Sequence, residues 1–250
     1  MTDLRKIDLK APIQKVLLSK DGIKLKAPFS MTISGPSQSG KSEFIFNLVK
    51  FRADVITADY KRIIYCQSNC YSVKNLELIA RFKQEFEKFE VVQGLPDINE
   101  LQLTFNNEPA LLIVDDLMND VLNSKRMVEI ATIHAHNFNL SVIFVLQNFY
   151  ASGKFSTTLQ RNSQYKVLFY NRADIIERRT LSNQMAGSPK FFSQCFDYLL
   201  DHYPDSPSVY LLIDAHNRSN INSLWCRSSI FPEIHRGEIT PIVFFVNKNK

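Results

Sequence analysis

Glycine is scarce in this chain, at 7 of 250 residues. Collagen-like and low-complexity chains need far more, so both are excluded. Tryptophan occurs once, against 19 phenylalanines. Only four cysteines are present: Cys66, Cys70, Cys195 and Cys226. No CxxC pair recurs and no nearby histidine pair completes a tetrahedron, so a zinc framework is excluded. His134 and His136 lie two apart on an expected helix and cannot share a face, so they read as surface or packing residues. Cys66 sits in an apolar run and reads as a buried thiol, and all four cysteines are expected to be reduced, in an intracellular setting. No apolar run approaches the roughly 20 residues of a membrane span. The opening MTDLRKIDLK lacks the apolar core of a secretory signal. Internal repeats and Gly/Ser/Pro linkers are absent as well. These absences leave a folded chain acting without a membrane, inside a cell or a particle assembled there.

What is present fits a sizeable core. Hydrophobic residues make up 45% of the chain and charged residues 22%. That balance suits one α/β domain and is too apolar for a disordered chain. The net charge of +5 has a local origin. Residues 1–26 hold seven basic side chains against three acidic ones. We therefore expect a basic N-terminal extension over 1–26 and one domain over 27–250. The extension reads as a solvated terminus or as an arm that touches a polyanion.

Short apolar runs alternate with amphipathic stretches, the pattern of a mostly parallel sheet flanked by helices. Met31–Ser34 is the first expected strand. A helix follows from about Lys41, with Phe44, Ile45, Leu48 and Val49 on one face. Ile63–Cys66 is a second strand, followed by a helix carrying Ile79, Phe82, Phe86 and Phe89 at helical spacing. Val91-Val92 makes a short strand, and Asp97 to Glu100 reads as a capping box. Ala110–Val114, Val142–Leu146 and Val167–Tyr170 are apolar without alternation, as strands buried on both faces are. A helix is expected from Val121 to His136. Asp174-Ile175-Ile176-Glu177 reads as another capping box, on a helix stopping near Met185, before Gly187. Tyr210–Ile213 and Ile242–Val246 are late strands that can pair antiparallel, with Leu224–Arg227 as a hairpin partner between them.

Three motifs carry chemistry. Gly35-Pro36-Ser37-Gln38-Ser39-Gly40-Lys41-Ser42 fits the G-x-x-x-x-G-K-[ST] pattern, between an expected strand and an expected helix. The two glycines permit backbone angles a side chain would block, so the loop can turn its N–H groups around phosphate oxygens at the positive end of the helix. Lys41 is expected to reach the β- and γ-phosphates of ATP, and Ser42 to give its hydroxyl to Mg²⁺. Asp115 and Asp116 end a buried strand, where two adjacent carboxylates are costly to desolvate without a cation. Asp115 is expected to hold Mg²⁺ through water, and Asp116 to orient or deprotonate the attacking water. The alternative is that both acids cap the next helix. Gln147 ends the next buried strand, where its amide can bond the γ-phosphate or the lytic water, or else cap a loop.

The set GPSQSGKS, LLIVDDLM and SVIFVLQNFY resembles the FtsK–HerA superfamily of DNA-pumping ATPases. Within it, the likeness is to the genome-packaging ATPases of poxviruses and giant viruses, and especially of Polinton/Maverick elements. The segments from Asn162 to Asp174, from Leu181 to Met185 and from Tyr210 to Asp214 continue the resemblance, which spans roughly Ala27 to Val246. It implies a P-loop NTPase fold and a homo-oligomeric ring, often a hexamer, that threads double-stranded DNA. It also implies a capsid or portal-vertex protein as partner, and action in a host nucleus or cytoplasmic virus factory, or within the virion. An arginine from one subunit would complete its neighbour's site, and Arg161 and Arg172 are the candidates. The family often places an arginine a few residues before the Asn162 position, where this chain has Thr157 and Thr158. DNA contact would be mainly to phosphates, with Lys154, Lys166, Arg178 and Arg179 as contributors. Two other readings stay open: a small-molecule kinase, and a nucleotide-dependent assembly switch that does not translocate.

Overall fold

The computed structural model describes residues 23–68, 73–96, 108–130, 139–150, 153–206, 208–215, 226–232 and 239–244, together with the backbone of 2–8 and 11–18. The centre is set by strands with no solvent-exposed face. β3 (Ser30–Ser34), β6 (Ala110–Asp115), β7 (Leu140–Leu146) and β8 (Tyr165–Phe169) are buried almost throughout. With β4 (Arg62–Gln67) and β5 (Phe89–Gln93) they make a parallel block in the order β8-β3-β7-β6-β4-β5. β9 (Tyr210–Asp214) then pairs antiparallel with β8, β10 (Cys226–Ser228) with β9, and β11 (Ile242–Phe244) with β10. The expected antiparallel late strands are therefore present, with Cys226 and Arg227 in the middle one. Residues 2–18, read from sequence as part of a basic extension, carry β1 (Thr2–Asp8) and β2 (Ala11–Leu18). β1 runs parallel to β11 and closes an antiparallel hairpin with β2, giving an 11-stranded sheet.

Helices cover both faces. α1 (Lys41–Lys50) and α3 (Val73–Glu85) bury Phe44, Leu48 and Phe82 against one face, with the short α2 (Arg52–Val55) directly after α1. On the other face lie α4 (Met118–Asn123), α5 (Lys125–Glu129) and α6 (Ser156–Asn162). α7 (Ile175–Ala186) and α8 (Phe191–His202) complete that face, with Leu181, Phe192 and Phe196 packed on β8 and β9. Among the described residues no helix is long and apolar enough to cross a membrane.

Four local expectations are corrected. The helix expected from Val121 begins at Met118 and breaks at Ser124, which turns extended (ψ 112) and accepts the Met127 N–H on its hydroxyl; residues 131–138, with His134 and His136, lie outside the described set. Phe89 belongs to β5 rather than to the preceding helix, which ends at Glu85. Asp174 does stand at the N-cap of α7, but makes no side-chain capping bond. Its carboxylate accepts instead from the Asn171 amide, and Glu177 turns away toward Phe149. Lys166, grouped from sequence with DNA-contacting side chains, is 6% exposed and donates to the Ser163 carbonyl at 2.6 Å. Gly187 ends α7 in the left-handed region (φ 65), as its place in the sequence suggests. The 97–100 capping box, Cys70 and residues 224–225 fall outside the described residues.

Candidate active site

The carboxyl edge of the parallel block gathers the three motifs. β7 lies between β3 and β6. Ser34 pairs with Leu146 and Val114 with Phe144, so the loop after Ser34, Asp116 and Gln147 leave the sheet at nearly the same level. Parallel sheets bind their ligands at this edge.

The loop itself is shaped by exclusion. A Cβ on Gly35 would sit 2.6 Å from the Phe169 Cβ, so only glycine lets the loop start against β8. Gly40 takes φ +100, and a Cβ there would also meet the Ser208 Cβ at 2.6 Å. Gln38 is left-handed too, at φ 64. The Ser39 N–H closes a turn on the Pro36 carbonyl at 3.3 Å. α1 starts directly after Gly40 with no side-chain cap, so its first N–H groups are left for another acceptor. The buried Ser39 hydroxyl has no partner among the described residues. Free helix-end donors beside an orphaned hydroxyl fit a phosphate group.

Lys41 is half-buried, and its ammonium donates to the Gly35 and Pro36 carbonyls at 2.5 and 2.7 Å. Burial pulls its pKa down, against the opposing pull of Asp115 and Asp116. Asp115 is pushed up by burial, and the nearby Asp116 charge adds to the shift. The Tyr65 hydroxyl, donating to Asp115 Oδ2 at 2.6 Å, counters it. Asp116 is exposed, left-handed at φ 55, and accepts from the Ser68 hydroxyl at 3.0 Å. The two neighbouring carboxylates thus face different surroundings. Asp115 is a desolvated carboxyl group whose charged form a bound cation would favour, and Asp116 is open to water. Neither caps α4, whose N-cap is Leu117 with no side-chain bond.

Ser42, in the first turn of α1, and Asp115 offer hard oxygens of the kind Mg²⁺ takes. Among the described residues no group of three acidic, histidine or cysteine side chains could hold a metal by itself. Mg²⁺ commonly binds through one or two protein ligands plus substrate phosphates and water, and this pair fits that mode. Beside the loop, Gln38, Lys41, Ser42, Glu77, Leu78 and Arg81 line an open cleft of about 380 Å³. Arg81 forms a two-pronged pair with Glu43, both contacts at 3.0 Å, and stacks over Phe46.

The remaining sequence candidates separate. Gln147 is exposed just beyond β7. Arg172 is exposed in the loop after β8, on the phosphate-loop edge. Arg161 is exposed at the end of α6, before β8 begins. Ser30, at the start of β3, donates to the neighbouring Asn162 carbonyl at 2.9 Å, which puts Arg161 at the opposite edge. A strand length, roughly 15 Å, separates it from its own chain's loop. Arg178 is committed internally, to Ser193 and the Asn171 carbonyl at 3.0 Å and over the rings of Tyr170 and Phe196. Sequence reasoning missed Tyr65 and Arg81. Tyr65 could have been noticed as the one hydroxyl in an otherwise apolar strand.

No family model and no curated protein matches the chain. Among solved structures, it is similar to the genome packaging NTPase B204 of Sulfolobus turreted icosahedral virus 2. The AMP complex aligns at 17% identity and a TM-score of 0.48, over 75% of this chain and 92% of that one. The ATP-gammaS complex aligns at 18% identity and a TM-score of 0.46, over 77% and 94%. The cytoplasmic domain of the type VII secretion ATPase EccC from Thermomonospora curvata aligns at 12% identity and a TM-score of 0.45, over 86% of this chain and 27% of that one. At such identities and scores the likeness assigns no activity to this chain.

Proposed function

We propose that this chain is an ATP-hydrolysing motor that moves double-stranded DNA and packages a viral or virus-like genome into a capsid. The observation that carries the hydrolytic half is the meeting of Lys41, the Asp115-Asp116 pair and Gln147 at the ends of three adjacent parallel strands. The DNA half rests on the sequence resemblance of those same three motifs to packaging ATPases.

In this reading the N–H groups of residues 35–42 wrap the triphosphate. The Lys41 ammonium leaves the Gly35 and Pro36 carbonyls for the β- and γ-phosphates. Ser42 and, through water, Asp115 hold Mg²⁺, which when bound neutralises charge on those phosphates. Asp116 takes the proton of the attacking water, and its exposure leaves it reachable. Gln147 orients that water or reads the γ-phosphate. The chain works as a ring, in which Arg172, on the same edge as the loop, is the better-placed arginine for a neighbour's site. Arg161 would need a neighbour that presents the opposite edge. DNA is held through its phosphates, so binding weakens with salt. The ring docks on a capsid or portal-vertex protein, in a nucleus or a cytoplasmic factory.

Steady-state ATP hydrolysis with and without long double-stranded DNA tests this, with Lys41→Ala as the blank. Stimulation by DNA, absent from the variant, is the expected result. Hydrolysis indifferent to DNA, or nucleotide binding without turnover, would overturn the motor and favour the assembly switch.

A further inference from the structure

We infer that Glu177 is a positioning residue for hydrolysis: it ties the segment after Gln147 to α7 and so fixes where that amide stands beside the phosphate loop. The inference rests on the hydrolytic role proposed for Gln147.

The sequence sets Glu177 three residues after the N-cap Asp174, where a glutamate would ordinarily fold back on its own helix. It does not. Glu177 Oε1 accepts from the backbone N–H of Phe149, and the N–H of Tyr150 also points to this carboxylate. A second tie runs alongside, from the Tyr150 hydroxyl to Gln184 Oε1 at 3.1 Å. Phe149 is 1% exposed and packs in the cluster beneath α7 and α8. The backbone is therefore pinned two residues beyond Gln147. The Gln147 side chain, by contrast, is exposed and has no hydrogen-bond partner among the described residues, so what the backbone fixes is the point from which its amide reaches out.

The same residue also borders the start of the phosphate loop. Glu177 lines a small cavity with Ser34, Gly35, Phe169 and Asn171, at the point where β3 becomes the loop. One residue thus bonds the segment after Gln147 and borders a cavity that it shares with the first glycine of the phosphate loop. A carboxylate there is costly to desolvate, and burial raises its pKa. The two N–H donors offset that cost only while the 147–150 segment keeps its present course. α7 also presents Ile175 and Ile176 to solvent, so the anchor belongs to a helix whose first turn is open to contact.

The test is a double-mutant cycle on steady-state ATP hydrolysis, with kcat and KM read separately. Glu177→Ala is expected to lower kcat by about ten- to a hundredfold, with KM within about threefold, the mark of lost geometry in the transition state. Glu177→Gln keeps an oxygen that can accept from Phe149 and should recover most of that loss. Glu177→Asp keeps the charge but shortens the reach; it should lower kcat too, and stands in if the alanine variant does not fold. In a Gln147→Ala background, Glu177→Ala should lower kcat by less than about threefold, because the amide it positions is gone. Losses that multiply in the double variant, or a Glu177→Ala enzyme with unaltered kcat beside an impaired Gln147→Ala enzyme, would overturn this inference alone. A Gln147→Ala enzyme with unaltered kcat would overturn the Gln147 reading and this inference with it.

Discussion

Lys166 shows how one side chain changes meaning once its surroundings are known. By sequence it is one of four basic residues expected to contact DNA phosphates, yet it is buried in β8 and bonded to its own turn. Burial lowers its pKa to about 8, below the roughly 10.4 of a free lysine. Between about pH 8 and 10 the unfolded chain holds a proton that the folded chain has released, so this residue makes stability rise with pH across that window. Below pH 8 both states are charged, and the folded state carries the whole cost of the buried ammonium, up to about 3 kcal/mol. Lys166→Met is therefore expected to unfold at higher denaturant than the parent at pH 7, with the margin closing toward pH 10. Urea titrations at both pH values measure it, and a margin that does not change with pH would contradict the assignment. The same substitution should leave the salt dependence of DNA binding unaltered, since no solvent-facing cation is removed.

Elements buried on both faces were the legible ones. β6, β7 and β8 carry the short apolar runs Ala110–Val114, Val142–Leu146 and Val167–Phe169, as strands covered on both faces do. The phosphate loop was legible because Gly35 and Gly40 meet two separate steric demands at a fixed spacing. What sequence could not show was where a polar side chain spends its hydrogen bonds. Glu177 fits a capping box by spacing and is drawn instead to a backbone 28 residues earlier. Phe89 keeps helical register with Phe82 and Phe86 because a strand begins there by chance on the same face. The antiparallel extension holds a charge pair that spacing also hid. Arg227 on β10 lies 3.6 Å from Asp214 at the end of β9, both nearly inaccessible. Arg227→Met would leave Asp214 buried and short of its cation, at a cost of about 3–5 kcal/mol. That is a fall in Tm on the order of 10 °C for a chain of this size. Adding Asp214→Leu should restore much of the loss, and thermal unfolding of the two variants checks it. Equal instability in both would show that the charges are not what joins these strands.

At the scale of the whole molecule, strand order was the illegible part. β6 and β7 read alike as apolar runs, and nothing in the composition of β3, β6 and β7 says that β7 lies between the other two. That order is nonetheless what brings Gln147 between the phosphate loop and the acidic pair. It also imposes a timetable. β3 leaves the ribosome early, but its two partners are β7 and β8, more than a hundred residues later in the chain. Until β7 has been made, Ser30–Ser34 has no neighbour on either side, and until β8 follows, Gly35 lacks the Phe169 side chain it rests against. Pairings this distant form late and slowly. On the proposed function, a nascent chain halted before residue 165 should therefore hold the complete loop sequence yet fail to retain ATP, whereas one released beyond residue 215 should retain it, and nucleotide would reach the protein only near the end of its synthesis.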